Sequence, residues 1–158
     1  MTRELLTIGY QGSRLADLVA TLRDAGVTTL VDVREAPWSR RPEFAKRALG
    51  ETMATAGIGY RHMKALGTPK TGRDAARAGD KAGFHAIFDA QLATEAAQIQ
   101  LGEVAALVAA ERPCLMCYER DPDQCHRSIV AARLSETTGL AVRHLEIPRG
   151  DDSQPKLL

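Results

Sequence analysis

Aromatic side chains are scarce, at 4% of a 158-residue chain. An extended surface that stacks several bases needs more exposed rings than that, so none is expected. Long apolar runs are also missing. None approaches the roughly 20 residues that cross a bilayer, so no membrane partner is expected. The opening MTRELLTIGYQG turns polar and glycine-rich too early for a secretory signal. Cysteines number three, an odd and small count that argues against a disulfide framework. Internal repeats and low-complexity segments are absent too. The expected compartment is the cytoplasm.

What is present suits a globular chain. The length allows about one domain with a sizeable core, over residues 1–148, followed by a tail expected to be disordered. Apolar residues are 44% and charged residues 26%, an ordinary balance. The net charge of +1 hides an asymmetry. Residues 34–81 carry 11 of the 21 Lys and Arg but 5 of the 20 Asp and Glu. That stretch is either a solvated basic face or a surface that attracts phosphate-bearing ligands.

Hydrophobic periodicity sets the elements. LLTIGY (5–10) predicts a strand, followed by a turn, an N-cap at Ser13 and a helix with Leu15, Leu18, Val19 and Leu22 on one face. TTLVDVR (28–34) predicts a strand covered on both faces. A proline-rich loop and a helix carrying Phe44, Ala48 and Leu49 lead to a short strand at 58–63. Residues 66–83 have no apolar periodicity and predict a long, mobile, basic loop. Helix returns from Phe84 to Val108, with a break expected at Gly102. PCLMCYE predicts a strand, Asp121-Pro122 opens another helix, and AVRHLEI (141–147) closes the pattern. Strands alternating with helices imply an α/β fold. The expected form is a Rossmann-like, three-layer, mostly parallel sheet of about four or five strands with helices on both faces.

Ligands in such sheets sit beyond the carboxyl ends of the strands. Tyr10, Asp32, Arg34, Cys117 and Glu119 fall at such ends, and Cys125, His126 and Arg127 open the next helix. A late polar strand residue needs a partner or a ligand. Asp32 and Glu119 therefore either pair with Arg34 and Arg127 or serve a site.

The stretch CLMCYERDPDQCHRS (114–128) carries most of the chemistry. A closed zinc site is disfavoured, because Cys114 and Cys117 point to opposite faces of a strand and no second ligand pair exists. An open site using Cys125, His126 and a carboxylate would need adjacent residues to aim at one ion, so no metal is assigned. Cys125 at a helix start beside His126 and Arg127 suits a reactive thiol. A phosphatase loop is excluded, because no arginine stands at its spacing after Cys117 or Cys125. Amides at the helix start with Arg127 suit an anion, although Glu119, Asp121 and Asp123 oppose one. The plain alternative makes Cys125 a core residue with His126 and Arg127 facing solvent. Cys114 reads as a buried apolar residue. His144 reads as a satisfied strand residue, and His62 and His85 carry less weight.

Together, TIGYQG, LVDVREAPWSR, FAKRAL, GIGYRHMKALG, LMCYERDPDQCHRS and VRHLEI resemble domain-of-unknown-function family 488, the YeaO-like proteins of bacteria and archaea. The resemblance spans about residues 5–147. It implies a compact α/β fold and no assigned activity. Its motif positions fall on Tyr10, Asp32, Arg34, Pro37, Ser39, Cys117, Glu119, Cys125, His126 and Arg127, with Cys114 outside the pattern.

Three functional readings follow. The first is a small enzyme, a hydrolase or transferase, on a phosphorylated or nucleotide-like substrate. Arg34 and Arg127 would hold its anionic group, Glu119 or Asp32 would act as acid or base, and Cys125 with His126 would be nucleophile or proton carrier. Tyr10, Ser39 and Cys117 would line the substrate. The second is a nucleic-acid or nucleotide-binding module using the basic region. The third is a metal- or redox-responsive thiol protein. The cofactor and the oligomeric state stay open at this level.

Overall fold

The computed structural model describes residues 3–148; the tail expected to be disordered, 149–158, lies outside the described residues. Five strands form one sheet: Leu5–Gly9 (β1), Thr29–Asp32 (β2), Gly59–His62 (β3), Pro113–Cys117 (β4) and Val142–Leu145 (β5). Their order is β3-β2-β4-β1-β5 and each described pairing is parallel. β1, β2 and β4 are buried along their whole length, which is why they are largely apolar and do not alternate with charged residues. β3 and β5 are the edges, and each is partly exposed.

The chain first steps from β1 to β2 to β3, through helices Leu15–Asp24 (α1) and Lys46–Thr55 (α2). It then reverses. Lys70–Arg77 (α3), Lys81–Leu92 (α4) and Glu95–Leu107 (α5) carry it back to β4, and Arg127–Thr138 (α6) carries it to β5. The reversal splits the core in two. Leu18 and Leu22 of α1 and Leu49 and Met53 of α2 pack with Leu6, Ile8, Leu30, Cys114 and Met116. Phe88, Leu92, Val104, Val130 and Leu134 of the other helices pack with Leu5, Val31, Leu115 and Cys117 on the opposite face. This is the expected three-layer, Rossmann-like arrangement.

Several local expectations are corrected. Residues 66–83 are not one long loop, because α3 occupies Lys70–Arg77. It shows no apolar stripe because its only buried residue is Gly72, whose added Cβ would meet Thr68 Cγ2 at 2.7 Å and Ile87 Cγ2 of α4 at 3.2 Å. Close backbone approach replaces side-chain burial there. Gly102 does not break a helix; α5 runs through it. The break falls at Thr94, whose hydroxyl accepts the Ala97 amide at 3.2 Å. Ser13 does not cap α1. Arg14 holds that position, and the buried Ser13 hydroxyl lacks a partner among the described residues. Asp121 caps a 3₁₀ turn, Pro122–Gln124, by accepting from the Asp123 amide at 2.9 Å. Cys125 is then extended, at φ −131° and ψ 143°, so it precedes α6 rather than opening it.

Two glycines test this packing. A Cβ on Gly9 would overlap the Glu119 carbonyl and come within 2.9 Å of Arg127 Nη1. Gly9→Ala should cost about 3 kcal/mol or more in urea unfolding. Gly102 is exposed with nothing near an added Cβ, so Gly102→Ala should stabilise by about 1 kcal/mol. A destabilising Gly102→Ala would contradict a continuous α5.

Candidate functional site

Loops leaving β1 and β2 turn toward α1 and α2, whereas the loop leaving β4, which lies between them, turns toward α6. The carboxyl end of β4 is therefore a topological switch, where α/β sheets form ligand crevices. The chemistry-bearing residues collect around it in two linked networks.

The first is built on Asp32, the last residue of β2. Its carboxylate is fully buried and accepts from Arg34 Nε at 2.9 Å, Arg34 Nη2 at 2.7 Å and the Arg34 amide at 3.1 Å. Tyr60 donates its hydroxyl to the same carboxylate. Arg34 Nη1 donates to Tyr10 Oη at 3.1 Å and to the Phe44 carbonyl at 2.8 Å. Desolvation alone would lower the Arg34 pKa, but the hydrogen bond and charge of Asp32 raise it, so the guanidinium stays charged. Burial first, then the Asp32 charge, raises the Tyr60 phenol. Tyr10 stacks on Phe44 with centroids 4.4 Å apart and meets Tyr118 edge-on.

The second network is built on Arg127, whose side chain is 0% exposed although it begins a helix. The plain expectation of a solvent-facing Arg127 is thus overturned. Nε donates to Thr7 Oγ1 at 3.1 Å, and Nη1 donates to Cys117 Sγ at 3.1 Å and to the Glu119 carbonyl. Nη2 donates to the Arg120 carbonyl at 3.1 Å. Every nitrogen of the guanidinium thus has a protein acceptor, as it does in Arg34. Burial lowers the Arg127 pKa, against the pull of nearby anionic groups.

Beside Arg127 the sulfurs of Cys117 and Cys125 are joined as a disulfide, a single bridge and not the framework that the cysteine count argued against. Counting could not find it, because the pair is made by the 118–124 excursion folding back rather than by a framework. Glu119 Oε2 lies 3.6 Å from Cys117 Sγ. The two sulfurs and the Glu119 carboxylate all lie within 4.8 Å of one another. Burial raises the Glu119 carboxyl pKa, opposed by its backbone hydrogen bond and by Arg127. Cys114 is free and buried on the other face of the sheet, as expected from strand alternation.

His126 ties the two networks together. Its Nε2 sits 2.6 Å from the Val33 carbonyl, which can only accept, so Nε2 carries the proton. Nδ1 then presents its lone pair, 3.8 Å from Cys125 Sγ. Burial pushes the His126 pKa down to about 4, so the ring is neutral at pH 7. The Val33 amide in turn donates to the Met116 carbonyl at 3.0 Å, joining the end of β2 to β4.

Of the residues singled out in the sequence, Tyr10, Asp32, Arg34, Cys117, Glu119, Cys125, His126 and Arg127 thus share one rim. Ser39 does not join either network through its described contacts; its hydroxyl accepts the Arg41 amide at 3.1 Å within its own loop. Pro37 accepts the Lys46 amide in the same loop. Thr7 and Tyr60 also belong to the rim without having been singled out in the sequence, and so does His62, which carried little weight there. His62 Nε2 meets the Arg34 carbonyl at 2.7 Å, and the register pairing Asp32 with His62 places the two strand ends side by side. A signal existed for Tyr60, a lone phenol two residues upstream in that strand. His144 is satisfied by Thr7 Oγ1 at 2.5 Å, as expected of it. Among the described residues, no helix is long and apolar enough to cross a membrane.

Fold and rim together define a parallel α/β protein with a cysteine pair at its topological switch. The family model described as "Domain of unknown function DUF488" matches residues 14–134, most of the chain, and the protein belongs to that family. The match begins after β1 and ends before β5, although β1 supplies Thr7 to the rim and the residue that follows it is Tyr10. No curated protein and no solved structure matches the chain.

The Asp32 network can be tested by stability. Asp32→Asn leaves a buried guanidinium without its counter-charge and should cost about 3–5 kcal/mol in urea unfolding. Tyr60→Phe removes one hydrogen bond to a charged group and should cost about 1.5–3 kcal/mol. Equal, sub-kilocalorie losses for both would mean that Asp32 is not the hub.

Proposed function

We propose that this protein is a thiol-redox protein whose working group is the Cys117–Cys125 pair. The observation that carries the reading is the meeting of the two sulfurs at the carboxyl edge of the sheet, beside a buried arginine and a neutral imidazole. In a reducing cytoplasm, the compartment proposed for it, disulfides are chiefly transient and serve catalysis or sensing.

The roles follow from exposure and charge. Cys125 is 6% exposed and Cys117 1%, so an incoming thiolate reaches Cys125 Sγ first. The S–S bond breaks as the mixed disulfide forms, and Cys117 leaves as a thiolate. Arg127 Nη1, at 3.1 Å, steadies that leaving charge. A second external thiol then attacks the mixed disulfide at the external sulfur and releases Cys125. His126 Nδ1 is placed to accept or return the Cys125 proton. Two external thiols are oxidised and one protein disulfide is reduced.

The anionic-substrate reading draws less support. Both of its holding arginines, Arg34 and Arg127, have every guanidinium nitrogen engaged within the protein. Each keeps one N–H on Nη2 outside these bonds, but Arg34 is 6% exposed and Arg127 0%, so neither presents a donor surface to an incoming phosphate.

Equilibrating the folded chain with glutathione buffers, trapping thiols by alkylation and mapping peptides tests the proposal. We expect a reversible Cys117–Cys125 disulfide with Cys114 alkylated only after unfolding. Closing this loop, with a separation of 8 residues, should raise stability by about 2–3 kcal/mol over the reduced chain. Two cysteines that stay reduced in excess oxidised glutathione would overturn it.

One observation favours a second reading, contact with single-stranded nucleic acid. Trp38 is 70% exposed, in a loop with Arg40 and Arg41 and within the basic 34–81 stretch. Much of that charge is already paired, as in Arg47–Glu51, Lys70–Asp74 and Arg73–Glu35. Trp38 is the only tryptophan, so its fluorescence reports directly. Quenching by an oligothymidylate that weakens steeply with salt supports this reading, and no quenching at low salt ends it.

A further inference from the structure

We infer that the reduced protein binds one zinc ion through Cys117 Sγ, Cys125 Sγ and a Glu119 carboxylate oxygen, with a fourth position left open to water. It rests on the thiol reading above, because ion and disulfide use the same two sulfurs. The three ligand atoms come from one short segment, yet they converge within 4.8 Å of one another. Two thiolates favour a borderline-soft ion such as zinc over magnesium or calcium.

Charge and spacing point the same way. With the disulfide opened and both thiols giving up their protons, two thiolates and the Glu119 carboxylate face a single cation, Arg127, whose Nη1 lies 3.1 Å from Cys117 Sγ. A divalent ion brings that group to neutrality, which a buried cluster requires. The Cα atoms of Cys117 and Cys125 are 7.2 Å apart, wider than the roughly 4.4–6.8 Å usual for a bridge. A tetrahedral zinc holds two sulfurs about 3.8 Å apart, so side-chain rotation lets them separate without the backbone closing in. The surroundings are those of a ligand set already oriented. The Cys125 amide is held by the Pro122 carbonyl at 3.2 Å, and the Arg127 amide points to Cys125 Sγ at 3.5 Å.

The balance is simple. An external dithiol takes up the oxidising equivalents of the disulfide and leaves two protein thiols. Zinc then displaces the two thiol protons and neutralises the carboxylate. In the reverse direction an external disulfide takes two electrons from the cysteine sulfurs, becomes two thiols, and re-forms the Cys117–Cys125 bond as the ion leaves. The site thus has two exclusive closed states, disulfide and zinc-bound, with an open dithiol between them.

Zinc chloride is titrated into the full chain, reduced and freed of metal, against a chromophoric zinc indicator. Thiols are counted after unfolding, and three free thiols mark complete reduction. We expect one zinc per chain, and a loss of affinity of about 10-fold or more in Glu119→Gln. Cys114→Ala should bind as the parent does, and Cys125→Ala should not bind. The oxidised parent, about 2 Da lighter per chain, should not bind either and needs no substitution that could unfold it. A fully reduced, folded chain that leaves all zinc with the indicator overturns the inference, as does equal binding by the oxidised chain. A reduced chain that binds zinc but never forms the disulfide upholds the zinc site while ending the redox reading. A disulfide that forms reversibly in a chain blind to zinc does the reverse.

Discussion

Arg127 carries a full positive charge with no exposed surface, and the carboxyl edge of the sheet is arranged around that fact. A buried guanidinium is tolerable only when its hydrogens are satisfied. Its acceptors are Thr7 on β1, Cys117 on β4, and the carbonyls of Glu119 and Arg120 in the loop that leaves β4. One side chain therefore fixes two neighbouring strands and the course of the next seven residues. Gly9 lacks a Cβ for the same reason, since the Glu119 carbonyl that faces Arg127 occupies the space. The loop is pinned at its start by Arg127 and at its middle by Asp121, so Cys125 returns to Cys117 by construction.

Arg34 does comparable work on the other side of β4, with a different currency of acceptors. Its partner is a carboxylate rather than carbonyls, and Tyr60 and the Arg34 amide share that carboxylate. The ion pair spends the charge of the DVR motif inside the protein. Tyr10 and Phe44 close over it from the end of β1 and from the turn before α2. Both arginines thus orient backbone and aromatic groups around the rim, and neither turns a row of free donors outward.

Elements with strong periodicity were legible in the sequence; those held by backbone approach were not. Leu15, Leu18 and Leu22 mark α1 plainly, and the apolar runs of β1, β2 and β4 declare strands covered on both faces. α3 hides because its contact with α4 runs through Gly72, which has no side chain to register in any pattern. Gly102 misleads for the opposite reason: it sits on an exposed face where the helix tolerates it. At the rim, residue types were readable but pairings were not. Asp32 and Arg34 are two apart and would share a face of a continued strand, but the strand ends at Asp32, and the turn beyond it brings the Arg34 guanidinium and amide onto the carboxylate. The disulfide needed the geometry of the 3₁₀ turn, which spacing alone does not encode.

With both arginines engaged, the uncommitted chemistry of the rim is small and specific. His126 has spent Nε2 on Val33 and retains Nδ1. Glu119 keeps its carboxylate close to the sulfurs while its carbonyl serves Arg127. The cysteines alone can change covalent state without breaking a network that holds the strands. Opening their bond releases a loop closure within one segment, whereas opening either arginine network unpairs a buried charge. A rim rigid in its charges and labile in its sulfurs concentrates any switching in residues 117–125. That segment carries the half-exposed Tyr118, whose ring meets Tyr10. A change at the sulfurs therefore has a short physical route to the Tyr10–Phe44 stack and to the surface beyond it.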